Sequence, residues 1–99
     1  MIYKSEIKIG NETLILEKNI RLFPNPASDQ LFLDFDLSTN FDFNISIHDA
    51  VGKVLLQKIE NNISNQKLDL KISNLTSGLY FVKIQTGEQV WIRKFIIQN

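Results

Sequence analysis

The chain contains no cysteine, one histidine and two prolines among its 99 residues. Without cysteine there can be no disulfide bond and no thiolate metal site. The single histidine, His48, cannot form a metal-binding pair, and a role in acid–base catalysis would need a carboxylate partner that the sequence does not identify. Serines and threonines are scattered outside any nucleophile motif. We therefore expect that the protein is not an enzyme and that it holds no cofactor and no metal.

Charge of one sign is not concentrated anywhere in the chain. Eleven basic residues balance eleven acidic ones, and no window gathers the five or six like charges that mark an interaction tail. A nucleic-acid surface would carry a basic stripe, and a membrane-spanning helix would need roughly 20 apolar residues in succession. Charges at Lys4, Glu6 and Lys8 interrupt the apolar stretch that a signal peptide needs. The sequence therefore predicts no nucleic-acid partner, no transmembrane segment and no conventional N-terminal signal peptide.

Apolar and polar side chains alternate along most of the chain, which is the pattern of strands with one buried face. Residues 31–37 and 41–47 show it most clearly, and residues 38–40 are predicted to form the turn between them. Residues 61–66 are predicted to form a polar loop. Further strands are predicted at 53–60, 68–72, 79–86 and 89–98.

Short strands at roughly ten-residue spacing favour an all-β fold. We predict an immunoglobulin-like antiparallel β-sandwich of about seven strands. Residues 3–9 and 13–17 can add an N-terminal hairpin. Tyr80 fits either a tyrosine corner, in which its hydroxyl bonds to backbone a few residues upstream, or a large core residue with its hydroxyl at the rim.

Both prolines lie in the tripeptide Pro24-Asn25-Pro26. Proline fixes φ and restricts the residue before it, so this segment should be stiff. We interpret it as the boundary between a leader, linker or end of an upstream protein at 1–19 and a domain at 20–99. On this hypothesis the stiff segment holds the upstream residues away from the folded domain.

Two glycines mark predicted turns, Gly52 and Gly78. Asp49 and Gly52 occupy the first and fourth positions of a type I turn followed by a left-handed glycine, so the strand after it should begin at Lys53 and form a hairpin. The side chains of Asp34, Asp36, Asp42 and Asn44 should point outward from their strands. Calcium binding or acid–base chemistry would be one use of these groups, but no calcium-loop glycine and glutamate accompany them, and we interpret them as solvated charges.

The last predicted strand is apolar on both faces. Trp91 and Phe95 should share one face, and Val90, Ile92 and Ile96 the other. One face must pack in the core. If the strand lies at a sheet edge, the other face is free to contact a partner by strand addition.

Four blocks in order, from about Ile20 to the last residue, resemble the type IX (Por) secretion system C-terminal sorting domain, type A. They are residues 23–29, 47–54, 77–84 and 94–98. The aromatic residue before the Pro-Asn-Pro motif is usually tyrosine in that family and is Phe23 here. The residues that match the family motifs are Phe23, Pro24, Asn25, Pro26, Gly52, Lys53, Gly78, Tyr80, Lys83, Lys94 and Phe95.

The resemblance implies a secretion signal that is attached to an upstream cargo protein in the same, longer chain. Its partners would be the type IX outer-membrane translocon and a sortase-like peptidase of Bacteroidetes-type bacteria. The cargo would reach the cell surface or the medium, and the signal would be cut off within residues 16–22. Our own hypothesis is that the last strand, residues 89–98, with Lys83 and Lys94 as charged markers, is read by the translocation machinery.

A different function is open to the same fold. A stand-alone, fibronectin-like adhesive or carbohydrate-binding module would use exposed aromatic side chains, such as Phe32 or Trp91, as a binding platform. Such a module would bind its ligand in isolation and would have no need of a C-terminal position.

Overall fold

The computed structural model describes residues 18–99, and the predicted hairpin over 3–9 and 13–17 lies outside them. Every element named in this part is a β-strand. The strands are β1 (Ile20–Phe23), β2 (Gln30–Asp49), β3 (Val54–Lys71), β4 (Gly78–Thr86) and β5 (Gln89–Ile97). Among residues 18–99 no helix has the length and apolarity that crossing a bilayer would require.

The second strand, β2, organises the sheet, in which the pairings between the five strands are antiparallel. Along nearly its whole length β2 pairs with β3. On its other side the first half of β2 pairs with β1, through Phe32 to Phe35, and the second half pairs with β4, through Asn44 to Asp49. The last strand, β5, pairs with β4 along its full length. The prediction of an all-β antiparallel fold is confirmed, with five continuous strands where about seven were expected.

Two predicted chain reversals are absent. Residues 38–40 lie inside β2 and residues 61–66 lie inside β3, so neither segment is the turn or loop that its polarity indicated. The β2–β3 register shifts between Asp36 and Phe41, and again before Phe43. Asn62 takes a positive φ of 58° and donates its N–H to the Asp42 carboxylate at 2.9 Å. Polar residues here form an irregularity that bends two paired strands without ending them.

The core is built from the inward-facing residues of every strand. Leu31, Leu33 and Phe35 from the first half of β2 belong to the same buried cluster as Ile45 and Ile47 from the second half. Since one face of both halves is buried in one cluster, the sheet must curve around it. The largest fully buried side chains are Trp91, Phe35, Phe43 and Phe95.

The segment before the prolines is part of this fold. Ile20 is 2% exposed and belongs to the core, and Ile20 to Phe23 pair with β2. Residues 20–23 precede the prolines and are nonetheless part of the sheet, so the stiff segment does not hold these four residues away from the domain. Burial of Ile20 draws this segment into the sheet instead.

Because alternate residues are buried, removal of one methyl group should change the free energy of unfolding differently on the two faces of the sheet. Ile84 on β4 is fully buried, whereas Ile92 on β5 is 56% exposed. Ile84→Val should lower the free energy of unfolding by about 1 kcal/mol because it leaves a small cavity. The matched Ile92→Val should change it by less than about 0.5 kcal/mol. Equilibrium urea unfolding measures both, and equal effects would contradict the assignment of faces.

Candidate functional site

The Pro-Asn-Pro segment lies against the C-terminal strand. The Asn25 side-chain oxygen accepts a hydrogen bond from the N–H of Ile96 at 3.0 Å. Ala27, which is buried, donates its N–H to the carbonyl of Ile96 and accepts from the N–H of Gln98, both at 2.8 Å. Both X–Pro peptide bonds, Phe23–Pro24 and Asn25–Pro26, are cis. The first and last of the four sequence blocks therefore form one hydrogen-bonded unit.

Phe23 lies on the other side of the prolines, away from this unit. It is half-buried at the end of β1, and its ring packs against that of Phe32 with centroids 5.6 Å apart. The Arg21 guanidinium lies 5.8 Å from the Phe23 ring centroid. These contacts make Phe23 an anchor of β1 on β2.

The turn between β2 and β3 is organised by Asp49. Its carboxylate accepts the N–H groups of Val51 and Lys53 at 3.0 and 2.9 Å, and its carbonyl accepts the N–H of Gly52 at 3.0 Å. Gly52 has a φ of +95°, a conformation that side chains disfavour. The predicted Asp-to-Gly turn is confirmed, and Lys53 contributes backbone groups to it.

His48 borders this turn. Its Nε2 lies 2.8 Å from the Ser46 hydroxyl, and its Nδ1 lies 3.3 Å from the Gly52 carbonyl. His48 is half-buried. The hydrogen bonds fix the imidazole against the turn.

Tyr80 takes the geometry of a tyrosine corner. Its hydroxyl donates to the carbonyl of Thr76 at 2.6 Å, four residues upstream. Its ring packs against that of Phe95 with centroids 5.8 Å apart, and both residues are buried. Gly78 begins β4 two residues earlier and pairs with Ile97. Tyr80 is thus a core residue whose hydroxyl also closes the turn before β4.

One contact at the end of the chain had no signal in the sequence. The N–H of Asn99 donates to the Ser77 hydroxyl at 3.0 Å, and the Asn99 side-chain amide donates to the Leu75 carbonyl at 3.1 Å. The alternation of apolar and polar residues ends with β5, so the sequence pattern does not predict hydrogen bonds made by a residue beyond that strand. The last residue is fastened to the turn that precedes β4.

Strand pairing brings three of the blocks together at one end of the sheet. Asp49 lies opposite Tyr80, and Tyr80 lies opposite Phe95. In the next row His48 lies opposite Phe81, and Phe81 opposite Lys94. Ala27 forms a bridge to Ile97 at the same end. Blocks that are far apart in the sequence thus meet where β2 and β5 end and β4 begins.

Lys83 and Lys94 lie on the outer face at this end. Because successive side chains of a strand point to opposite faces, the two lysines point away from the core that buries their chain neighbours Val82 and Phe95. Lys83 pairs across the strands with Ile92. A shallow pocket of about 270 Å³ opens between these strands and the turn, and it is lined by His48, Gly52, Phe81, Lys83 and Ile92.

Two of the acidic residues that the sequence singled out, Asp34 and Asp42, contact other residues of the fold. Asp34 pairs with Arg21, and Asp42 accepts the N–H of Asn62. No group of three or more His, Asp or Glu among residues 18–99 is placed to hold a metal ion. Asp34 and Asp42 therefore have structural partners.

Trp91 is not available as an exposed platform. It is 2% exposed and packs in the core, which corrects the proposal that it forms the binding surface of an adhesive module. Phe32 is half-buried, with Phe23 against its ring and the Lys67 ammonium 5.0 Å from its centroid.

The Asn25 bond predicts a measurable change at the far end of the chain. Asn25→Ala removes the acceptor for the Ile96 amide, so the free energy of unfolding should fall by about 1 kcal/mol. Exchange of the Ile96 amide hydrogen should become faster, as measured by NMR. Asn25→Asp keeps an acceptor oxygen and should retain protection, while the exposed Ser28→Ala is the neutral control. Unchanged exchange at Ile96 in Asn25→Ala would contradict the bond.

Comparison with protein families gives a match that covers most of the chain. The family model described as a secretion system C-terminal sorting domain (Por) matches residues 21–98. No curated protein matches. The family match spans β1 to the end of β5 and contains all four sequence blocks. The chain belongs to the family of type IX secretion system C-terminal sorting domains.

Proposed function

We propose that this domain directs an upstream cargo protein through the type IX outer-membrane translocon to the cell surface or the medium. The family match supports a secretion signal. The observation that carries the finer proposal is the hydrogen-bonded unit of Asn25, Ala27, Ile96 and Gln98. It joins the start of the matched region to its end, so the signal is a property of the folded domain.

An immunoglobulin-like sandwich of about seven strands is the architecture that fits this proposal. The two long strands, β2 and β3, both cross the irregularity near residues 37–42. The first half of β2 lies between β1 and β3, and the second half lies between β4 and β3. Counting the two halves of β2 and of β3 separately brings the number of strands to seven, which supports a sandwich whose two layers would enclose the shared core.

The same geometry limits where a sortase-like peptidase would remove the domain. The region suggested by the resemblance, residues 16–22, overlaps β1, which begins at Ile20. Lys18 is exposed, whereas Ile20 is buried and paired with Phe35. Peptidases bind their substrate as unpaired, accessible chain. We therefore place the cut on the N-terminal side of Ile20.

The adhesive or carbohydrate-binding function is less well supported. Its proposed platform residues are buried, in the case of Trp91, or covered by neighbours, in the case of Phe32. A second pocket, of about 470 Å³, is lined by charged and amide side chains, including Arg21, Asp34 and Lys67. It has no exposed aromatic ring on which a sugar could stack.

Export of a fused reporter tests the proposed function. The 99-residue chain is placed at the C-terminus of a reporter that has its own signal peptide, in a type IX-competent bacterium. We expect the reporter outside the cell in this strain and its retention in a translocon-deficient strain. Immunoblotting of cell and medium fractions, with protease accessibility for the cell surface, makes the measurement.

A position control separates a sorting signal from a binding module. When the chain is moved to the N-terminus of the mature reporter, or when residues are appended after Asn99, export should fail although the domain still folds. Asn99 is fastened to Ser77 and Leu75, so an extension would emerge beside the sorting blocks. Export that continues in the translocon-deficient strain would refute the proposal.

The cleavage limit makes a separate prediction. Mass spectrometry of the exported reporter should find its new C-terminus before Ile20, because a cut within Ile20–Phe23 requires β1 to leave the sheet. The same reporter from a strain that lacks the sortase-like peptidase should keep the whole domain. A C-terminus within Ile20–Phe23 would show that β1 opens before cleavage.

A further inference from the structure

The outer face of β4 and β5 carries apolar side chains that the fold leaves exposed. Ile92 is 56% exposed, Ile96 47% and Leu79 40%. Leu79 and Ile96 lie opposite each other in the register, and Ile92 lies opposite Lys83. Most exposed apolar residues occur singly on a protein surface, whereas a contiguous group rimmed by polar residues marks an interaction site.

The same face carries basic groups without acidic ones at the end near the Asp49 turn. The outward residues of its cross-strand rows are Ser46, His48, Leu79, Phe81, Lys83, Ile92, Lys94 and Ile96. Neither Lys83 nor Lys94 forms an ion pair within residues 18–99. Elsewhere in that part of the chain, Arg21, Lys58 and Lys71 all have carboxylate partners. The two lysines therefore leave a local positive charge beside the apolar group.

The pocket of about 270 Å³ lies between these two features. Of its polar lining groups, the His48 ring already contacts the Ser46 hydroxyl and the Gly52 carbonyl. Phe81 and Ile92 supply apolar walls, and Lys83 lies at the side. A bare Gly52 keeps the turn side open, since no atom lies within 4 Å of the position a β-carbon would take. The pocket has the size and character to take one large apolar side chain.

Resting on the proposed function, we propose that this face docks an acidic–apolar segment of a protein in the secretion machinery. One aromatic or large aliphatic side chain of the segment enters the His48–Phe81–Ile92 pocket. Carboxylates on either side of that anchor pair with Lys83 and Lys94. A buried anchor with charged neighbours is the usual energetic pattern of a protein interface. A concave pocket favours a single side chain over a flat anionic lipid surface.

The binding test uses the ¹⁵N-labelled full chain and a synthetic peptide, acetyl-Glu-Asp-Phe-Glu-Asp-amide, followed by NMR titration. Amide shifts should change at Phe81, Lys83, Ile92 and Lys94. Lys83→Glu combined with Lys94→Glu should weaken binding by about tenfold or more. A peptide of opposite charge, acetyl-Lys-Lys-Phe-Lys-Lys-amide, should bind this double variant better than it binds the unaltered chain. Shifts that do not map to this face, or equal binding of both peptides, would overturn the proposal.

Matched controls lie on the other part of the sheet. Lys67→Glu combined with Lys71→Glu reverses the same amount of charge on β3, far from the pocket. Ile59→Ser alters an exposed isoleucine on β3, to be compared with Ile92→Ser on β5. The controls should bind the acidic peptide like the unaltered chain, and thermal unfolding confirms that every variant folds. Vesicles of phosphatidylglycerol that shift the same amides more strongly than the peptide would assign the face to lipid and overturn the proposal.

The reporter assay tests the same variants in the cell. Ile92→Ser and the Lys83/Lys94 double variant should reduce export severalfold, and the β3 controls should not. If the unaltered chain fails to export the reporter, the sorting function itself is refuted. If the unaltered chain exports and the face variants export equally well, the sorting function stands and the docking face is refuted.

Discussion

The hydrogen bonds from residues 25–27 to the end of β5 are the constraint on which the rest of the domain depends. The backbone of Ala27 forms hydrogen bonds with the backbone of Ile96 and of Gln98, the two neighbours of Ile97. The Asn25 side chain accepts a further hydrogen bond from the Ile96 N–H. Strand β1 precedes this contact and pairs with β2, while β5 pairs with β4. The contact therefore joins the two outer strands of the path β1–β2–β4–β5. It also covers the part of the β5 edge that would otherwise present unpaired backbone.

Tyr80 and Asn99 stabilise the same end of the sheet through contacts with the turn before β4. The Tyr80 hydroxyl closes the turn before β4, and its ring packs on Phe95. Asn99 bonds to Ser77 and Leu75 of that turn. Each hydrogen bond contributes about 1 kcal/mol on its own. Together they hold the end of the chain in one geometry, which a loose strand terminus would not have.

The sequence predicted the parts of this structure that depend on alternation and turn chemistry. The faces of β5 and the turn from Asp49 to Gly52 follow from local residue types. For Tyr80 the sequence left two alternatives open, a tyrosine corner or a large core residue, and the structure shows features of both. The turn predicted at 38–40 and the polar loop predicted at 61–66 are wrong, because polar residues also occur at bulges inside continuous strands. Burial of Ile20 and the docking of Asn25 on Ile96 are long-range contacts, which no local pattern encodes.

The convergence of the blocks has a consequence for how a secretion machinery can recognise this domain. In the sequence Gly52 lies 31 residues before Lys83, and Lys83 lies 11 residues before Lys94, so no short peptide contains the three. In the fold Gly52, Lys83 and Ile92 line one pocket, and Lys94 pairs across the strands with Phe81, which lines the same pocket. A partner that contacts them together must meet the folded sheet. A substitution that destabilises the end of the sheet where the blocks meet then weakens recognition, even if it leaves the recognised residues unchanged. Stability therefore has to be measured together with export in every variant.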